Sequence, residues 1–129
     1  METNVPYSER RMVENEKLAR RVNRQLEDRV TEIRRDEGAD TDAPIQFFCE
    51  CSFLGCRERL EASSAEYGRV HSTPEHFVVV DGHEVLAVES VVDRIRDFLV
   101  VRKRAEAVRA VPEPTDADID KDDDPTTKE

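Results

Sequence analysis

Ile45-Gln-Phe-Phe-Cys-Glu-Cys-Ser-Phe-Leu-Gly-Cys56 is the stretch whose reading decides the fold. Residues 45–51 suit a strand. Side chains alternate along a strand, so Cys49 and Cys51 share one face and Glu50 takes the other. Residues 52–55 have the length of a tight turn, in which Gly55 is free to adopt a positive φ. That turn returns Cys56 to the other two thiols. Three convergent thiolates favour a soft metal, and zinc is the common one. The competing reading is three unlinked thiols packed as small hydrophobes. The spacing, with Gly in the turn, speaks against it.

Zinc takes four ligands, and the chain offers His71, His76 and His83. His83 follows Gly82 at a tight bend that can aim an imidazole inward, so it is preferred. His71, near a helix end, and His76, beside Phe77, read more easily as ordinary surface or core histidines. Three thiolates and Zn2+ carry a net negative charge, which Arg57 and Arg59 are placed to offset. An exposed-strand reading of the two arginines is about as good.

Upstream, residues 8–37 contain no Gly or Pro and are mostly strong helix formers. Met12, Ala19, Val22, Leu26, Val30 and Ile33 recur at helical spacing on one face, which Asn15 interrupts. Ser8 is the expected N-cap, and Gly38 stands where the helix stops. The stripe is narrow, close to a coiled-coil seam. It must cover its own sheet, a second copy or a partner, with its own sheet slightly favoured. Residues 1–7 are read as disordered and residues 38–44 as a linker.

Downstream, residues 57–61 suit a second strand, and Ser63-Ser-Ala-Glu66 has capping-box spacing for a short helix that ends before Pro74. Phe77-Val-Val-Val80 reads as a third strand. Residues 88–101 fit a helix face and a pair of strands about equally. Residues 112–129 carry eight acidic residues against two basic ones, with three prolines, and read as a disordered acidic tail. The fold class expected is therefore α+β: a long N-terminal helix, then a small antiparallel β-sheet domain over 45–104 with one short helix and a zinc site.

Composition narrows the function. Hydrophobic residues make up 37% of the 129 and charged residues 39%, so the core is small and a metal would help to hold it. A net charge of −10 repels phosphate, making nucleic acid and anionic membrane poor partners. There is no apolar run of membrane-spanning length and no signal-peptide pattern at the start, and an odd number of cysteines argues against a disulfide framework. A reducing cytoplasm is the compartment expected.

Phe48-Cys-Glu-Cys51, Cys56, Glu66-Tyr67, Val70, Pro74, Phe77-Val78, Gly82-His83-Glu84 and Phe98-Leu-Val-Val101 together resemble a group of small actinobacterial proteins with an F-x-C-E-C…C…G-H-E pattern. Glu14-Asn-Glu16 and Arg21-Val-Asn23 are similar to the helix that precedes it there. The resemblance covers roughly residues 12–103. It implies a Cys3His set completed by His83 and a hairpin over 88–101, and it implies no activity. His71 stands where Arg is usual, and Val85-Leu-Ala87 replaces a Pro-containing turn.

The function expected is that of a non-enzymatic zinc-binding module, regulatory or protein-binding, with an unknown protein or a second copy on the N-terminal helix. A thiol-based zinc switch is the first alternative. A zinc hydrolase with Glu84 or Glu50 as general base is the weaker one, because three thiolates make a poor Lewis acid of the metal.

Overall fold

The computed structural model describes residues 8–53, 55–115, 117 and 118. The expected disorder of residues 1–7 and most of the acidic tail lie outside these. Helix α1 spans Glu9–Asp36. Ser8 caps it, its hydroxyl accepting the Arg11 N–H at 3.1 Å. It ends where Gly38 takes φ +70°, so that the Ala39 N–H reaches back to the Arg34 carbonyl. Strands β1 (Ile45–Phe48) and β2 (Arg59–Ala62) form an antiparallel pair, Ile45 opposite Ala62 and Phe48 opposite Arg59. Helix α2 (Ser64–Val70) follows with its capping box formed: Glu66 N–H to the Ser63 hydroxyl, and Ser63 N–H to the Glu66 carboxylate. Strands β3 (His76–Val80), β4 (Glu89–Ile95) and β5 (Phe98–Lys103) make an antiparallel sheet in the order β3-β5-β4. Helix α3 (Ala105–Arg109) closes the described fold.

The fold is α+β as expected, with several corrections. Two small sheets replace one. β1 stops at Phe48, before the cysteines, and β2 begins at Arg59. Residues 88–101, which fitted a helix face and strands about equally, form a hairpin, and α3, whose N-cap Arg104 makes no side-chain cap bond, gave no helix signal in the sequence.

The Val-rich runs of β3 and β5 have a simple cause: these two strands are covered on both faces, whereas edge strand β4 is largely exposed. Val78, Val80, Phe98 and Val100 face one core with Ile45, Phe47, Leu60, Tyr67 and Val70, to which Leu26 and Val30 of α1 add. Phe77, Val79, Leu99 and Val101 face the other, with Cys49, Cys51 and α3's Val108. The cysteines therefore sit on the sheet's second face.

Helix α1 lies on its own domain, but apart from Met12 its most deeply buried side chains are not those of the expected stripe. Met12, Val13, Asn15, Glu16, Lys17, Arg20 and Asn23 are buried, whereas Ile33 is 49% exposed. The first half docks through polar grips and the second through Leu26 and Val30.

Candidate metal centre

Each ligand's position follows from the chain just before it. After β1 the backbone runs on beside β3: the Cys49 N–H still bonds the Glu58 carbonyl, and the Glu50 N–H bonds the Val78 carbonyl at 2.7 Å. Alternation across Glu50 puts the Cys49 and Cys51 side chains on the same side. The chain then turns, the Cys56 N–H closing on the Phe53 carbonyl at 3.0 Å. Gly55 does not need a positive φ there, contrary to expectation. A Cβ on it would instead come 3.1 Å from the Phe53 ring. His83 arrives from the end of β3, where Gly82 takes φ +99° and the His83 N–H bonds the Val80 carbonyl.

The structure thus brings Cys49, Cys51, Cys56 and His83 together, with one donor atom from each lying within 4.8 Å of all the others. The spacing tests whether an ion fits. A tetrahedral metal about 2.3 Å from sulfur and about 2.1 Å from nitrogen sets sulfur and nitrogen about 3.6 Å apart. The Cys49 and Cys56 sulfurs lie 3.5 and 3.6 Å from His83 Nδ1. These two spacings fit a tetrahedral ion held by His83 through Nδ1, with Cys51 inside the same 4.8 Å cluster. His71 and His76 are outside the cluster.

Backbone amides, not arginines, supply the donors around the sulfurs. The Val80 N–H points at Cys49 Sγ at 3.2 Å and the Glu58 backbone hydrogen-bonds Cys56, while the Cys51 thiol faces the Phe53 carbonyl at 3.8 Å. Arg59 instead lies over the Phe48 ring at 3.9 Å and donates to the Gln46 carbonyl; Arg57 is exposed. A hydrogen bond from Cys49 draws Cys51 down to about 5, while the same bond and burial push Cys49 up, and burial raises Cys56. A thiolate already favoured inside such a cluster is what a cation would complete.

Behind the sulfurs, Glu50 is fully buried on the opposite face. Its carboxylate accepts from Asn23 Nδ2 at 2.9 Å, the Val78 N–H at 3.0 Å and the Tyr67 hydroxyl, and His71 Nε2 lies 3.0 Å away. Burial pushes Glu50 up, but His71 and these donors outweigh it and hold its carboxyl below the ordinary range. Asn23 also grips both sides of the Phe48 peptide, accepting its N–H at 2.8 Å and donating to its carbonyl at 2.9 Å. Asn15 Nδ2 donates to the Ser52 carbonyl, inside the ligand turn, at 2.7 Å. Near Cys51 a second buried cluster places Lys103 between Glu16 at 3.2 Å and Glu89 at 3.0 Å.

These supporting residues were missed in the sequence, where buried charges cannot be told from a solvated face. The one available signal was Asn15, Glu16 and Asn23 lying on the side of α1 where apolar residues were sought. The two residues considered as general bases are engaged elsewhere: Glu50 as described, Glu84 with the Gly82 N–H at 2.8 Å. No described helix is long and apolar enough to cross a membrane. Comparison with protein-family models, curated proteins and solved structures found no match to the chain.

Proposed function

We propose that the chain is a non-enzymatic zinc-binding module in which zinc is structural and the folded unit serves a protein-binding or regulatory role in a reducing cytoplasm. The observation that carries the reading is the Cys3His cluster at tetrahedral spacing. Borderline-soft Zn2+ suits three sulfurs and one imidazole, and four protein ligands leave no open position for a substrate. The site lies between the end of the first sheet and the turn after β3, so an ion there ties the two sheets together. The same donor set argues against a hydrolase, as does the engagement of Glu50 and Glu84. The exposed C-terminal turns of α1, where Ile33 faces solvent, are the part of the helix left for a partner or a second copy.

Metal analysis of the purified full-length protein tests this. One zinc per chain is expected, Cys51→Ser should abolish binding, and His83→Ala should weaken it far more than His71→Ala. Zinc affinity is the readout, because His71→Ala also strands the buried Glu50 carboxylate and will destabilise the fold. A protein without zinc, or the reverse order of the two histidines, overturns the assignment.

A further inference from the structure

We propose that Cys56 is the oxidant-sensitive ligand of this centre, and that a peroxide joins it to Cys51 in a disulfide that expels the metal. The inference rests on the zinc reading above and adds its regulation. The observation behind it is unequal access. Cys49 and Cys51 are 5% and 6% exposed, packed with Phe77, Val79, Leu99, Val101 and Val108. Cys56 is half-buried at the solvent edge, between exposed Gly55 and exposed Arg57. A small oxidant arriving from solvent meets that sulfur first.

Zinc-bound thiolates remain oxidisable, and the chemistry balances with hydrogen peroxide as the oxidant. The Cys56 thiolate attacks one peroxide oxygen and the O–O bond breaks, leaving a sulfenic acid and a hydroxide. The Cys51 thiolate then attacks the Cys56 sulfur, the S–S bond forms and a second hydroxide leaves. Two thiolates and one peroxide become one disulfide and two hydroxides. The two sulfurs lose two electrons, the peroxide oxygens gain them, and zinc keeps its charge. It is left with Cys49 and His83 alone, too few ligands to retain it.

Cys51 is the resolving thiol because it is five residues from Cys56, on the other arm of the same turn, with its sulfur within 4.8 Å of the Cys56 sulfur. Cys49 is tied to β3 by the Val80 N–H on its sulfur and to the β2 side through Glu58. The same turn contains the Ser52 carbonyl that Asn15 holds. Its movement withdraws that grip from α1, so oxidation of the centre also loosens the first half of the helix.

The test treats the full-length, zinc-loaded protein with hydrogen peroxide beside a chromogenic chelator, followed by peptide mapping. One zinc released per Cys51–Cys56 disulfide is expected, reversed by thiol reductant and zinc. Brief alkylation of the wild-type holoprotein checks the order of access, with the first label expected on Cys56. A chain isolated without zinc sinks the zinc reading and this inference with it. A zinc-loaded chain that survives peroxide, or whose first modified sulfur is Cys49, overturns the inference alone and leaves the structural zinc standing.

Discussion

Glu16 lies under α1 with its side chain 1% exposed, and one of its oxygens has no hydrogen-bond partner among the described residues. Burial pushes its carboxyl up to about 8 despite the nearby Lys103 ammonium. An unfolded glutamate titrates near 4.5. Between the two values the folded chain holds a proton that the unfolded chain has shed, so this group's contribution is complete below about 4.5 and is lost as pH rises through about 8. Glu16→Gln removes the titration while keeping the shape. The urea midpoint of the variant should fall less between pH 5 and 8 than that of the parent; parallel profiles would show that Glu16 is ionised throughout. At the same scale, Asn23→Ala leaves the Phe48 peptide and the Glu50 carboxylate each short of a partner. A loss of about 2–4 kcal/mol is expected in urea unfolding, since stranded buried polar groups keep their desolvation cost.

Helix α2 shows what an element gains from its ends and loses in its middle. Its capping box satisfies start amides that the helix cannot, so Ser63→Ala should cost about 1 kcal/mol. Gly68 lies inside the helix without positive φ, and a Cβ there would meet nothing within 4 Å. Gly68→Ala should therefore stabilise by roughly 0.5–1 kcal/mol, because alanine has less backbone freedom to lose. A destabilised Gly68→Ala protein in thermal unfolding would mean that the space beside Gly68 is not open. The β4–β5 hairpin turns through Arg96 at φ +53°, and its guanidinium is anchored on Glu66 at 2.7 and 2.9 Å. Edge strand β4 carries a register shift between Val91 and Asp93, an irregularity that discourages sheet extension although Val91 and Val92 are exposed.

Across the molecule, the two ends of the described chain meet. Lys17, 4% exposed, donates to the Val111 carbonyl at 2.6 Å and pairs with Glu113 at 2.6 Å, while Arg104 binds Glu9 with two nitrogens. The start of the acidic segment is thus part of the fold. Glu113→Gln should lower stability by about 1 kcal/mol, because its partner is buried even though Glu113 is not. Removing residues 119–129 should leave the melting temperature nearly unchanged while reducing solubility. A large drop on that truncation would show that the removed segment packs on the domain. The proposed zinc is tested at this scale too: chelation would leave the two sheets joined by their shared apolar core and the Glu50 network, and loss of the fold over 45–104 is the expected outcome in circular dichroism.

The helix at 8–37, the first four residues of the strand read over 45–51 and the shared face of Cys49 and Cys51 were legible without a structure, because 3.6- and 2-residue periods are local geometry. Gly82 likewise marked His83, since the bend it permits needs no distant partner. Three things were decided only by tertiary structure. Residues 88–101 became a hairpin because β5 inserts between β3 and β4 and is buried on both faces, which erases the alternation that would have identified it. The docking face of α1 became polar because Asn15, Asn23, Glu16 and Lys17 find partners between 25 and 94 residues away. The donors around the sulfurs became backbone amides because β3 and the approach to β2 present them there. A side chain's identity carries its own chemistry, but whether a charge is solvated or buried against a partner is set by what the rest of the chain brings to it.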